Sequence, residues 1–319
     1  MRFIIFLLLL SGFLGAQPFA PAAGTIGTTA IAKDSALIDF WASECVVQRG
    51  YLDIAQKSLG LASHGDSSAA LAYADGQVVS LGDSGMATYI LSSPRADVPG
   101  ADFAIFENSF SDSYLELAFV EVSSDGQRFV RFPAISLSPS LVQTGSFGSS
   151  DPRDLYNLAG KYRADFGVPF DLNELKDSTA VNIQAITHIR IVDVVGSIDS
   201  AFASFDKDGR IINDPYPTAF ASGGFDLDAL AFLKANTIGQ KSYTISKGRA
   251  FPQPAHDYLR VEDASSLKIL SLGGRAICES KGAQINFNLG AGLYLLEIEL
   301  EGKLYREKII IQWKNRAGY

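Results

Sequence analysis

The stretch LELAFVEVSSDGQRFVRF, residues 115–132, decides the fold class of this chain. Apolar and polar residues alternate through it with the period of a half-buried β-strand. Ser124, Asp125 and Gly126 interrupt the alternation with the Asp-Gly pair that is typical of a tight turn. The stretch therefore predicts two antiparallel strands joined as a hairpin.

The same alternation recurs on both sides of this hairpin. DFAIFEN (102–108), ITHIRIVDVVG (186–196) and FDLDALAFL (225–233) each read as a strand. LGDSGM (81–86) reads as a hairpin turn between QVVSL and MATYIL, and helix signals are confined to 152–161 and 171–175. Short strands at this spacing predict an all-β fold, a jelly-roll β-sandwich over residues 38–234.

A second, smaller set of strand patterns follows. Strands are predicted at 257–261, 266–271, 284–287, 292–300 and 303–311, with glycine-containing turns between them. We predict a small immunoglobulin-like β-sandwich over residues 251–312. A linker at 235–250 precedes it and a tail at 313–319 follows it.

The N-terminus and the composition limit location and partners. Residues 1–16 have the short basic start, apolar run and small-residue end of a signal peptide, and 17–37 read as an extended lead-in. No other apolar run approaches the ~20 residues of a membrane span.

The net charge of −8, without a basic stripe, argues against nucleic acid. Cys45 and Cys278 fall in different predicted domains, so we expect no disulfide and predict that both are small buried hydrophobic residues.

The second domain carries several ordered motifs in its sequence. They include FPQPA at 251–255, GR at 274–275, LGAGLY at 289–294 and KIIIQ at 308–312. Together they resemble the C-terminal sorting domain of the type IX secretion system of Bacteroidetes. The resemblance implies the type IX machinery as a partner, export across the outer membrane, and a secreted or cell-surface location. The residues that carry it include Pro252, Pro254, Gly274, Gly292, Tyr294 and Lys308.

The main domain resembles a family of secreted Bacteroidetes cell surface proteins. The matching stretches include VVSLGDSGMATYIL, GADFAIFENSF, ITHIRIVDVVGSID and INDPYPTAFASGGFDLDAL. More loosely, it resembles discoidin-like, galactose-binding jelly rolls. That likeness implies, by analogy of fold alone, glycan binding and a structural calcium ion.

Several acidic residues stand in apolar strands, where a carboxylate is costly unless it is paired or bound to a metal. FDKDGRIINDP (205–215) adds a second acidic group that resembles the first half of an EF-hand loop. Arg210 and Pro217 occupy two positions that would need ligands, so this loop is either a calcium turn of another type or a solvated turn. The predicted calcium ligands are Glu107, Asp193, Asp206, Asp208, Asn213, Asp214, Asp226 and Asp228.

Long loops rich in Tyr, Phe, Asn, Ser and Gly are the expected recognition surface. Tyr156, Tyr162, Tyr216 and Phe220 could stack on a sugar or another flat ligand. The alternative is that these rings pin their loops to the core.

Catalytic motifs are weak. LGDSGM is similar to a serine-protease motif but lacks the histidine motif of that family, and the three histidines have no zinc-ligand spacing. Glu107 and Asp193 could serve a glycosidase only if they flanked a glycosidic bond. We therefore expect a non-catalytic, exported binding protein with a calcium-stabilised β-sandwich. The alternatives are a surface protein that captures glycan or cobalamin beside an outer-membrane receptor, and a surface glycosidase.

Overall fold

The computed structural model describes residues 19–235, 250–271, 276–300 and 303–312, with the backbone of 244–245. The chain divides into two compact units, one ending at Asn236 and the other beginning at Thr237. The predicted signal peptide at 1–16, Gly274, the tail at 313–319 and most of the linker at 235–250 lie outside the described residues.

Within its described residues, 19–235, the first unit consists of short strands and four 3-10 helices. The helices span Ile54–Leu59, Ser67–Ala70, Pro152–Asp154 and Leu172–Leu175. The strands are β1 (Ile31–Ala32), β2 (Ile38–Trp41), β3 (Cys45–Gln48), β4 (Val79–Ser80), β5 (Met86–Arg95), β6 (Phe103–Glu107), β7 (Ala118–Ser123), β8 (Val130–Arg131), β9 (Ile135–Ser136), β10 (Leu155–Tyr156), β11 (Phe166–Phe170), β12 (Ile186–Asp193) and β13 (Asp226–Leu233).

Two antiparallel sheets form a sandwich, which confirms the all-β prediction. One sheet has the order β1-β11-β6-β13-β2, with β4 also paired to β13, and the other has the order β3-β5-β12-β7-β8. The predicted hairpin is β7 and β8, with Glu121 opposite Arg131. Every residue of β6, β7 and β13 is buried, so these strands occupy the middle of the fold.

One apolar core joins the two sheets. Inward-facing residues of both sheets belong to the same buried cluster, among them Phe103, Ile105, Val120, Ile189 and Leu227. Burial of such side chains is the main favourable term in folding. The apolar positions of the alternating sequence pattern are therefore the ones that face this core.

The predicted hairpin at LGDSGM is wrong. β4 pairs with β13 in one sheet, whereas β5 pairs with β3 and β12 in the other. The segment between them therefore crosses from one sheet to the other. Gly82 has φ +75°, and a Cβ there would lie 2.8 Å from the carbonyl oxygen of Gly50, so this crossing requires glycine.

The helix predicted from residue 152 to residue 161 is also wrong beyond its first turn. Asp151 caps a 3-10 turn that ends at Asp154, and β10 follows immediately. Asn157 (φ 51°) and Gly160 (φ 79°) are left-handed, which interrupts a helix. The short helix predicted at 171–175 is confirmed as the 3-10 turn capped by Asp171.

The second unit is also a β-structure with its own core. Its strands are β14 (Thr244–Ile245), β15 (Tyr258–Arg260), β16 (Ser266–Leu270), β17 (Ala276–Lys281), β18 (Gln284–Asn286), β19 (Gly292–Leu300) and β20 (Lys303–Ile311). A five-stranded sheet, β14-β20-β19-β16-β17, accompanies the pair β15-β18. Leu259, Ile269, Leu296 and Ile309 are buried in one cluster of this unit. The sequence missed β17, an edge strand with no buried residue.

The structure also locates the two cysteines and bears on the question of membrane-spanning helices. Cys45 is buried in the first unit and Cys278 is half-buried in the second, and both are free thiols. Among the described residues, no helix is long and apolar enough to cross a bilayer.

Candidate metal and ligand site

Acidic residues gather at one end of the first sandwich because several strands begin or end there. β6 ends at Glu107, which lies opposite Leu227 near the start of β13. β12 ends at Asp193, which lies opposite Ala118 at the start of β7. The sheet registers therefore bring the ends of distant strands to the same edge.

We define the acidic cluster as Glu107, Glu116, Asp193, Asp214 and Asp226. All five are buried, with exposed fractions between 1% and 8%. None forms a salt bridge within 4.0 Å in the described part of the chain. Buried carboxylates without counter-ions are costly when ionised.

Glu107 illustrates the cost. Its Oε2 accepts a hydrogen bond from the backbone N–H of Ser109 at 2.8 Å. Its Oε1 is buried and has no hydrogen-bond partner among the described residues. Burial raises the pKa of Glu107 well above its ordinary value, and the neighbouring Glu116 carboxyl adds to the rise.

Glu116 connects the cluster. Burial raises its pKa to about 9, and electrostatic repulsion from Asp226 and Asp214 contributes, while a hydrogen bond with the Tyr114 side chain opposes the rise. Sequence reasoning missed this residue because LEL reads as an ordinary strand with one polar position. No local signal in the sequence identifies it, because its partners Asp214 and Asp226 are distant along the chain.

Asp214 holds a loop against the start of β7. Its Oδ2 accepts a hydrogen bond from the N–H of Leu117 at 3.0 Å. Its Oδ1 is buried and, within the described residues, has no partner. Burial raises the pKa of Asp214 well above its usual range. Glu107 and Asp214 thus each leave one shielded oxygen free to bind a cation.

Asp193 joins two segments of backbone. Its two oxygens accept hydrogen bonds from the N–H groups of Ser84 (3.0 Å) and Phe225 (2.7 Å). Gly224 (φ +75°) lies so close that a Cβ there would be 2.8 Å from Asp193 Oδ1. Burial, reinforced by Asp83, raises the pKa of Asp193.

Asp226 interacts electrostatically with two basic side chains, His64 and Arg49. It accepts a hydrogen bond from the Ser80 hydroxyl. Burial raises its pKa to about 6, while His64 and Arg49 act in the opposite direction. The Arg49 guanidinium donates to the backbone carbonyls of His64, Ser80 and Gly65, which fixes its position.

The other predicted calcium ligands have partners elsewhere. Asp206 and Asp208 form salt bridges with Arg210, at 2.9 and 3.0 Å. Burial alone would raise the pKa of Asp206, but hydrogen bonds from Arg210, Ser136 and Asp208 outweigh it and lower the pKa. The segment 205–215 therefore contains a charge-compensated turn.

Asn213 and Asp228 also hold loops. The Asn213 amide donates to the carbonyls of Pro139 and Val142 at 2.7 and 2.8 Å, and its oxygen accepts from the N–H of Thr144. Asp228 accepts hydrogen bonds from two N–H groups of the segment before β4. Burial raises its pKa to about 6.

A separate group of three carboxylates lies at the opposite end of the strands. Oxygens of Asp97, Asp102 and Asp171 lie within 4.8 Å of one another, and within the described ranges this is the one such group of three or more. Burial raises the pKa of Asp102 to about 7, although its oxygens accept from the N–H groups of Leu172 and Val98. The sequence did not predict this group.

Exposed and half-buried aromatic rings lie on the loops beside the acidic cluster. Phe110, Tyr114, Phe147 and Phe220, which we call the aromatic row, come from three separate loops. Their successive ring centroids are 4.6, 6.3 and 5.8 Å apart, and each pair is stacked. Phe110 and Phe147 are each 74% exposed, and Phe220 is 45% exposed. Exposed apolar groups that are close together often mark binding surfaces.

Of the four predicted ligand-binding aromatics, only Phe220 belongs to this row. Tyr162 is buried, with its hydroxyl 2.8 Å from that of Thr29, so it packs the core. Tyr156 stacks on Phe19, with centroids 5.1 Å apart. Tyr216 donates to Asp53 at 2.7 Å. The loop-pinning alternative therefore describes these three tyrosines.

The residues behind the sorting-domain resemblance lie in the second unit. Pro252 and Pro254 precede β15, and Gly292 begins β19. The Tyr294 hydroxyl donates to the carbonyl of Gly290 at 3.0 Å. Lys308 is exposed on β20.

Neither a protein-family model nor a curated protein matches the sequence. Among solved structures, the chain is similar to a β-glucuronidase from Ruminococcus gnavus in complex with uronic deoxynojirimycin (14% identity, 92% of this chain and 47% of that chain, TM-score 0.23). It is also similar to the biofilm associated protein BSP domain (11% identity, 72% and 48%, TM-score 0.16). The chain spans less than half of each, and at these TM-scores the similarity carries no functional argument.

Proposed function

We propose that the first unit is a calcium-stabilised, non-catalytic binding module of an exported protein. The observation that carries the proposal is the acidic cluster, in which five buried carboxylates converge without a salt bridge in the described residues. A divalent cation would neutralise this charge. Residue type supports calcium, because it prefers six to eight oxygen ligands in a flexible site.

The free oxygens of Glu107 and Asp214 are suited to such an ion. Glu116 interacts electrostatically with both Asp214 and Asp226, so it is the natural third ligand. The oxygens are not drawn together into a group of three within 4.8 Å. An ion would therefore have to pull Glu116 and its neighbours inward as it binds.

The same burial supports a binding role over hydrolysis. A glycosidase needs two carboxyls that flank a bond of the substrate. Glu107 and Asp193 are 1% and 3% exposed, and Asp193 uses both oxygens to hold backbone N–H groups. The exposed aromatic row is the better candidate for ligand contact, with a glycan or a flat small molecule such as a corrinoid as the ligand class.

The proposal also includes a location. The resemblance of the second unit to a type IX sorting domain supports delivery by that machinery to the cell surface or the medium. We expect a chain that lacks residues 251–312 to remain in the periplasm. Surface protease accessibility of both forms would test this expectation.

Calcium titration tests the central proposal. The chelated full-length chain should bind calcium by isothermal titration calorimetry, and bound calcium should raise its melting temperature. Glu107→Gln and Asp214→Asn keep their hydrogen bonds to the backbone but should weaken binding roughly tenfold or more. Asp171→Asn, in the separate group of three carboxylates, is the matched control. Loss of binding in the control alone would place the ion elsewhere and overturn the proposed site.

A further inference from the structure

A cavity lies between the two sheets of the first unit, at the end away from the acidic cluster. One wall comes from β2, β6 and β13, and the other comes from β5 and β12. Phe103 begins β6 and Glu107 ends it, which separates the cavity from the cluster. The core residues Phe103, Ile186 and Ile189, each 1% exposed, line the cavity. Its volume of about 270 Å³ is just below the ~300–1,000 Å³ of sites for drug-sized ligands, so it suits a molecule with a single ring.

An irregularity in β5 lies beside this cavity. Ile186 of β12 is opposite Arg95, but His188, two residues later, is opposite Ile90. Residues 91–94 of β5 therefore fall outside this register, and they also fall outside the described register of β5 with β3. They end in a proline, which has no N–H to pair. Bulges of this kind often redirect a side chain towards a functional site, and here the bulge ends at Arg95.

Arg95 brings a guanidinium without a carboxylate partner to the cavity. Its guanidinium carbon lies 4.2 Å from the ring centroid of Phe40 and 5.5 Å from that of Phe232, and these two rings stack with their centroids 4.7 Å apart. In the part of the chain that the structure describes, no carboxylate lies within 4.0 Å of this guanidinium. Stacking fixes its plane and leaves the N–H groups along its edge, in the fork geometry that binds a carboxylate with two hydrogen bonds.

Acidic side chains line the same cavity. Asp102 is 7% exposed, and its two oxygens accept from the N–H groups of Val98 (2.9 Å) and Leu172 (2.6 Å), one on each. A carboxylate oxygen has about two acceptor sites, so each can accept one more hydrogen bond. Asp39 also lines the cavity and is exposed. A simple anion would therefore meet Asp102 and Asp39, and a simple cation would meet Arg95, whereas a zwitterion matches both signs of charge.

We propose that this cavity binds a small zwitterion with an apolar side chain, which in chemical terms is an α-amino acid such as phenylalanine or leucine. The carboxylate of the ligand binds the Arg95 guanidinium and its ammonium group binds Asp102. The apolar side chain occupies the space lined by Phe103 and Ile189. The inference does not depend on calcium or on the aromatic row, because none of their residues lines this cavity in the described part of the chain.

Ligand-detected NMR titration of the full-length chain in chelator tests the charge requirement. At pH 8 the carboxyl of Asp102 is ionised, since burial raises its pKa only to about 7. The probes are L-phenylalanine, 3-phenylpropionate, which lacks the ammonium group, and phenethylamine, which lacks the carboxylate. We expect L-phenylalanine to bind at least tenfold more tightly than either analogue, because each analogue leaves one charge of the site unpaired. The proposal is overturned if neither L-phenylalanine nor L-leucine binds at millimolar concentration, or if either analogue binds as tightly as L-phenylalanine.

Arg95→Met then identifies the partner of the carboxylate, because it keeps an unbranched side chain against the rings and removes the guanidinium. It should weaken L-phenylalanine binding at least tenfold, and Arg95→Lys, which keeps the charge without the fork, should recover part of the loss. Arg131→Met is the matched control, because Arg131 also lies over a ring, that of Phe119 at 3.8 Å, but pairs with Glu121. Melting temperatures confirm that each variant is folded. Unchanged binding in Arg95→Met, or an equal loss in the control, would overturn the assignment of Arg95.

Discussion

Asp226→Asn is expected to stabilise the chelated protein at neutral pH, although it removes a charged residue. The carboxyl is buried at the start of β13 and accepts from the Ser80 hydroxyl. Asparagine has nearly the same shape and can accept the same hydrogen bond through its amide oxygen. The substitution therefore removes mainly a charge, in a buried place where His64 and Arg49 are the side chains that favour the ionised form.

The magnitude follows from the pKa of Asp226, which burial raises from 3.8 to about 6. A shift of about two units corresponds to about 3 kcal/mol of penalty on the ionised form. The native state binds the proton more tightly than the unfolded state does, so the penalty is absent below pH 3.8. It grows between pH 3.8 and 6 and is complete above that range. For a unit of this size, the gain corresponds to a rise of roughly 6–12 °C in melting temperature.

Thermal and urea unfolding in chelator at pH 4.5 and pH 8 measure this difference. The variant should exceed the parent at pH 8 and approach it at pH 4.5. Asp208→Asn is the control, because Asp208 is exposed and its pKa is lowered by a hydrogen bond from Lys207, so no such gain is expected. Destabilisation by Asp226→Asn at both pH values would refute the reasoning, since it would show a net favourable pairing with Arg49 or His64.

Three further outcomes are expected. Phe103→Ala should cost about 3–5 kcal/mol in urea unfolding, because Phe103 is 1% exposed and packs between the sheets; a loss below 1 kcal/mol would contradict that packing. Gly224→Ala should lower the free energy of unfolding and weaken calcium binding, because its Cβ would meet Asp193; unchanged calorimetry would separate Asp193 from the ion. Phe147→Ala should change stability by no more than about 0.5 kcal/mol but reduce capture on a glycan array or in a corrinoid titration. Equal capture by parent and variant would remove the row from the ligand surface.

Most strands were predicted from the local alternation of apolar and polar residues. This works because every strand that faces the core must place apolar side chains on its inner face. β19 and β20 have the predicted bounds, and the hairpin of β7 and β8 forms around its Asp-Gly turn. The local pattern of apolar residues does not show which distant strands pair with each other. The segment at LGDSGM has the composition of a hairpin turn, but its two strands find better partners in β13 and β12.

The sequence predicted the residue types of the candidate site better than it predicted which residues lie together. Acids in apolar strands pointed to Glu107, Asp193 and Asp226, and the structure buries all three. The cost of a buried charge made them conspicuous in the sequence. Glu116 was missed because its partners are brought to it only by the fold. Exposed rings such as Phe147 were missed for the opposite reason, since a loop phenylalanine gives no local sign of whether it is buried.

The hydrogen bonds of the acidic cluster also determine how this end of the sandwich can open. Ser84 and Phe225 are far apart in the chain, yet their N–H groups share Asp193, and Leu117 is held by Asp214. Each of these amides is released for exchange only when its hydrogen bond to the carboxylate opens. We therefore expect Ser84 and Phe225, which share Asp193, to show similar free energies of opening in hydrogen exchange, and this free energy should rise when the charge of the cluster is neutralised.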